Sequence, residues 1–97
     1  MMDDLVKGKR VLVTSVDEYM GEPIVRVFKE MGAEVIESSR DLSESGAADE
    51  VVKEAGDIDV LVANLAEKEW WDALVSDIDD EKWLGYFDEI VHPLMWL

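Results

Sequence analysis

The sequence contains no cysteine, a single histidine, two prolines and little positive charge. Without cysteine, neither a disulfide framework nor a thiolate metal site can form. Nine lysines and arginines against 24 acidic residues give a formal charge of −15, which argues against a basic groove for nucleic acid. No apolar run approaches the ~18–20 residues of a membrane span, and the acidic start lacks the regions of a signal peptide. These absences favour a cytoplasmic protein with an acidic, hydrated surface.

Metal ligands are also scarce. The only histidine, His92, has no second histidine or cysteine with which to form a metal site. The acidic run at 77–81 lacks the alternation and the glycine of a calcium-binding loop. It is typical of the first turn of a helix, where carboxylates interact favourably with the helix dipole. The sequence therefore predicts no metal site and a structural role for His92.

Apolar runs alternate with helical patterns along the 97 residues, which predicts one domain of βαβ units with a parallel sheet. Right-handed crossovers give the strand order 2-1-3. The expected fold class is α/β, a Rossmann-like three-layer α/β/α arrangement with a short sheet. The uninterrupted third apolar run predicts a strand buried on both faces. The expected strands are 10–14, 34–38 and 59–63, and the expected helices are 21–31, 47–55 and 79–97, with a helix or lid-like insertion at 67–75.

The turn after the first strand is the most informative segment. It lies where a dinucleotide-binding fold has its glycine-rich phosphate loop, yet Ser15 and Tyr19 replace two of three glycines and only Gly21 remains. Because glycines let the backbone approach a pyrophosphate, the sequence predicts no cofactor and no useful binding of NAD(H) or NADP(H). Three interpretations stay open: Tyr19 lines a small pocket, it plugs an unused nucleotide cleft, or a dinucleotide site persists.

Three segments, 7–14, 32–36 and 56–64, resemble the opening of the short-chain dehydrogenases/reductases in order and spacing. Ordinary members carry T-G-x-x-x-G-x-G in the turn, whereas this chain has T-x-x-x-x-Y-x-G. That pattern is similar to the halohydrin dehalogenases, cofactor-independent relatives with a halide pocket in place of the nicotinamide. The resemblance implies halide expulsion from a vicinal haloalcohol to give an epoxide. The alternatives are an NAD(P)-dependent short-chain oxidoreductase and a non-catalytic Rossmann-like interaction subunit.

The predicted pocket would receive a small-molecule substrate or halide at the carboxyl end of the first strand. Its candidate residues are Thr14, Tyr19, Gly21, Asn64, Trp70 and Trp71. Asn64 stands where the family has N-N-A-G, and an Asn at a strand end usually bonds to neighbouring backbone. Past the second strand, Ser39 occupies the slot of the acidic residue that holds the NAD ribose, and Arg40 could meet an NADP phosphate. Ser39 and Arg40 are the remaining candidates for cofactor binding.

The resemblance places the family's catalytic Ser and Tyr-x-x-x-Lys, or Tyr-x-x-x-Arg in dehalogenases, beyond residue 97. Neither Tyr19 nor Tyr86 has a suitable cation after it, so we expect no catalytic residue in this chain and regard it as an N-terminal portion. The helix at 79–97 has too many apolar residues for a single stripe. In the family this helix builds the dimer interface. We therefore expect a homodimer, or association with a C-terminal half, through 79–97.

Overall fold

The computed structural model describes residues 5–65 and 77–97 and contains a three-stranded parallel sheet. The first strand of the chain lies between the second and the third, and this order and the α/β fold class are as predicted. The expected insertion at 67–75, with Trp70 and Trp71, lies outside the described residues. The elements are β1 (Arg10–Val13), α1 (Gly21–Glu30), β2 (Glu34–Glu37), α2 (Ala47–Ala55), β3 (Val60–Val62), α3 (Asp80–Tyr86), a π-helical segment (Phe87–Val91) and α4 (His92–Trp96).

Strand β1 is the central strand of the sheet, and its apolar side chains pack on both faces of the sheet. Successive strand residues point to opposite faces, and Val11, Leu12 and Val13 are all fully buried. Val11 and Val13 pack towards α1, where Val25 is buried against them. Leu12 packs on the other face with Val51 and the alanines of α2. Helices therefore cover both faces, which gives the three layers expected for a buried parallel strand.

Strand β3 departs from the prediction of a strand buried on both faces. Leu61 is 39% exposed, and Val60 and Val62 are half-buried. In the described sheet β3 is an edge strand paired with β1 alone. The uninterrupted apolar run at 59–63 is thus a poor guide to burial here, because burial also requires neighbours on the outer edge.

The C-terminal helix is continuous but changes its hydrogen-bond pattern before Pro93. Asp79 caps its start by accepting a hydrogen bond from the Lys82 backbone N–H at 2.8 Å, as N-cap residues do. The Phe87 carbonyl accepts from the His92 N–H, five residues on. A proline has no N–H to donate within a helix, and the wider π-turn directly precedes it. Among the described residues, no helix is long and apolar enough to cross a membrane.

Candidate functional site

The turn between β1 and α1 adopts a glycine-like backbone without the glycines. Ser15 has φ 49° and Tyr19 has φ 51°, the only two non-glycine residues with positive φ in the described chain. A side chain in this left-handed region costs roughly 1–2 kcal/mol, and such outliers cluster at functional sites. Ser15 and Tyr19 therefore have a backbone conformation that glycine would favour.

Gly21 is required by close packing within the same turn. A Cβ added there would lie 2.4 Å from the carbonyl oxygen of Val16 and 2.5 Å from its Cα. These are backbone atoms, so no side-chain rotation could relieve the contact. The absence of a side chain at Gly21 lets the start of α1 approach the turn, as the last glycine of a phosphate-binding turn does.

Asn64 fixes the turn from the end of β3. Its buried amide nitrogen donates to the Ser15 carbonyl and to the Glu18 carbonyl, each at 2.9 Å. The Thr14 hydroxyl, also buried, donates to the Asn64 carbonyl at 3.0 Å. Both amide hydrogens of Asn64 thus serve neighbouring backbone, and this network holds Ser15 and the residues that follow it in place.

Tyr19 lies away from this network. Its side chain is 71% exposed, so it does not fill the cleft at the end of β1 and the plug interpretation has no geometric basis. Tyr19 borders a groove of about 660 Å³ along α1, together with Glu22 and Arg26. Thr14, Gly21 and Asn64 do not line this groove. Trp70 and Trp71 lie outside the described residues, so the predicted pocket stays a prediction.

A second cavity joins the turn to the end of β2. The Val16 N–H donates to the Ser38 carbonyl at 3.1 Å, which holds the turn against that strand end. The cavity, of about 200 Å³, brings Ser15 together with Ser39 and Arg40, the two residues predicted as cofactor candidates. Its remaining lining residues are Asp17, Glu18, Asp41, Leu42, Ser43 and Glu89.

Arg40 is held by two carboxylates of α2 that sequence analysis did not single out. Its Nη2 pairs with Glu50, and its Nη1 lies 3.7 Å from Glu54. The two glutamates are four residues apart and so lie on one helix face. That spacing was visible in the sequence, but nothing in it indicated that the face would meet Arg40.

His92 has local contacts only. Its Nδ1 lies 3.0 Å from the Asp88 carboxylate, one helical turn earlier. Its ring lies 5.5 Å from that of Trp96 and 6.2 Å from that of Phe87, measured between centroids. Among residues 5–65 and 77–97, no group of three or more histidines and carboxylates could hold a metal ion. These contacts suit the structural role expected for His92.

Comparison with known proteins gives a match at the level of structure alone. No family model matches the sequence, and no curated protein does. Among solved structures, the chain is similar to L-sorbose reductase from Gluconobacter frateurii, complexed with NADPH and L-sorbose, with a TM-score of 0.78 and 22% identity. The match covers 99% of this chain and 47% of that one. The likeness shows the fold, and the chain spans about half the length of the reductase.

This comparison corrects the prediction that the protein uses no cofactor. The solved structure that shares this fold holds NADPH, and this finding contradicts the cofactor-free prediction. It assumed that side chains at positions 15 and 19 would close the phosphate turn. In the structure, both residues take positive φ and Tyr19 is largely exposed.

Proposed function

We propose that this chain is the cofactor-binding portion of a short-chain NAD(P)-dependent oxidoreductase, with NADP(H) as the preferred cofactor. The observation that carries the proposal is the turn from Ser15 to Gly21, which combines two positive φ angles with a glycine-only contact beside a helix start. These features support a dinucleotide-binding turn although its sequence signature is absent. The NADPH-bound reductase of the same fold supports this choice.

The turn and α1 would hold the pyrophosphate. The N-terminus of a helix favours anions through its dipole. Helix α1 begins at Gly21, directly after the turn. Asn64 keeps the Ser15 and Glu18 carbonyls engaged and so fixes the backbone over which the phosphates would lie. The bound cofactor would supply or accept the hydride.

Ser39 and Arg40 would select NADP over NAD. A carboxylate at the end of the second strand suits the ribose hydroxyls of NAD, whereas an arginine suits the 2′-phosphate of NADP. Here Ser39 provides no carboxylate and Arg40 follows it on the rim of the same cavity as Ser15. A guanidinium can bind a phosphate through two parallel hydrogen bonds.

The halohydrin dehalogenase hypothesis depends on Tyr19, and no comparison supports it. A halide pocket at the end of β1 needs Tyr19 beside Asn64, yet the exposed ring lines a different groove. The oxidoreductase proposal uses the same turn and needs only its backbone. It is therefore the better explanation of this turn.

The proposal is tested by calorimetric titration of the 97-residue chain with NADPH and NADH. We expect saturable binding of both, tighter for NADPH. Arg40→Leu should lower NADPH affinity about 10-fold, the loss of a charge-assisted contact, and leave NADH unchanged. Arg26→Leu is the matched control, since it removes the same charge from the groove along α1. Failure of both dinucleotides to bind at millimolar concentration would refute the proposed function.

A further inference from the structure

The guanidinium proposed to meet the 2′-phosphate is already occupied. Both terminal nitrogens of Arg40 face carboxylates, Glu50 at Nη2 and Glu54 at Nη1. These are the groups through which arginine grips a phosphate with two bonds. A phosphate arriving at Arg40 must therefore share or displace at least one glutamate.

The local charge also opposes the phosphate. One positive guanidinium stands against two carboxylates, so the cluster of Arg40, Glu50 and Glu54 has a net negative charge. Their side chains are 40%, 55% and 73% exposed. Ion pairs this exposed are weak and exchange readily. A phosphate dianion can compete for Arg40, but it does so against two resident anions.

We propose that Glu50 and Glu54 are specificity-determining residues that compete with the 2′-phosphate for Arg40 and so limit the preference for NADP(H). This inference rests on the proposed function. Both cofactors share the pyrophosphate and both riboses, and the glutamates act only where the two differ. They therefore reduce NADPH affinity without affecting NADH affinity.

The test measures affinities of the intact chain for NADPH, NADH and adenosine 2′,5′-bisphosphate, before and after neutralising the glutamates. Glu50→Gln with Glu54→Gln should tighten NADPH and the bisphosphate about 3- to 10-fold, as expected for removing two weak competing pairs. NADH affinity should change less than about 2-fold. Asp49→Asn is the matched control for Glu50→Gln, because it removes one charge from the adjacent residue of the same helix. Circular dichroism checks that each variant is folded.

The affinities of the variants distinguish competition for Arg40 from the alternatives. Tighter NADPH binding in the double variant, with NADH unchanged and Asp49→Asn silent, supports competition for Arg40. Unchanged NADPH affinity overturns the inference, and so does weaker binding, which would mean that the glutamates position Arg40 for the phosphate. In both of those cases dinucleotide binding persists and the proposed function stands. If no variant binds either dinucleotide, the proposed function fails and the inference fails with it.

Discussion

Residues 5–65 and 77–97 are similarly rich in apolar side chains but use them differently. In the first region, Val11, Leu12 and Val13 of β1 are fully buried, and helices α1 and α2 cover the two faces of the sheet. Among residues 77–97, Pro93 alone is buried. Large apolar side chains stay exposed there, with Met95 at 85% and Leu84 and Leu94 at 60% each.

The difference shows that apolar content does not by itself identify a core. A strand at the centre of a sheet is covered on both faces by its own crossovers, whereas an apolar helix needs a partner surface on each side. Contiguous exposed apolar side chains mark contact surfaces in soluble proteins. The surface formed by α3, the π-helical segment and α4 therefore remains our proposed site of association with a second copy or a C-terminal half.

The largest expected effect on stability comes from replacing a glycine by alanine, at one position in each region. Gly21→Ala should destabilise the fold by about 2–4 kcal/mol, because the new Cβ meets the Val16 backbone. Gly85→Ala should stabilise it by about 0.5–1 kcal/mol, because Gly85 lies within α3 with no neighbouring atom near the added methyl. Urea denaturation measures both. Similar effects of the two substitutions would contradict the packing described for the turn.

The next prediction concerns a double substitution that should weaken self-association and leave the stability of the fold nearly unchanged. Replacing Leu84 and Leu94 by Glu should change the free energy of unfolding of the isolated chain by less than about 0.5 kcal/mol, since both are largely exposed. Self-association at about 100 µM should be lost, because two charges would enter the contact surface. Light scattering measures the mass. A wild-type chain that is monomeric at this concentration would remove the case for a homodimer.

The smallest expected effect concerns backbone strain in the turn. Tyr19→Gly relieves a left-handed side chain, worth about 1–2 kcal/mol, but adds about 0.4–1 kcal/mol of unfolded-state entropy. The net result should lie between no change and a stabilisation of about 1.6 kcal/mol. Met20→Gly is the matched control, because Met20 is the next residue and has φ −102°. Met20→Gly relieves no strain and adds only the unfolded-state entropy, so it should destabilise the fold. If Tyr19→Gly also destabilises the fold, the Tyr19 ring must make stabilising contacts.

Much of the architecture could be predicted from local pattern. Apolar runs and terminating glycines, such as Gly32 with φ +83°, place the strands and helices within about a residue or two of their observed bounds. The crossover rule then gives the strand order. These features depend on neighbours in sequence, which is why one sequence suffices to find them.

The turn and the cavity depend on tertiary contacts and could not be predicted in the same way. Ser15 and Tyr19 take positive φ in a turn that two tertiary contacts hold in place. One is the hydrogen bond from Asn64, 49 residues from Ser15, and the other is the close packing of Gly21. Without those contacts, serine and tyrosine would favour ordinary φ angles, so the sequence alone does not indicate the positive φ angles of this turn. The pairing of Arg40 with Glu50 and Glu54 likewise requires knowing where α2 lies.

The central claim is that the turn at Ser15–Gly21 and the Ser39–Arg40 corner form one dinucleotide site. Amide chemical shifts of the ¹⁵N-labelled chain, followed during titration with NADPH, test it most directly. We predict saturable shifts at the turn, at the start of α1 and at Ser39 and Arg40, with little change along Arg26–Glu30 at the end of α1. Shifts confined to Arg26–Glu30 or to 77–97, or the absence of any shift, would contradict it.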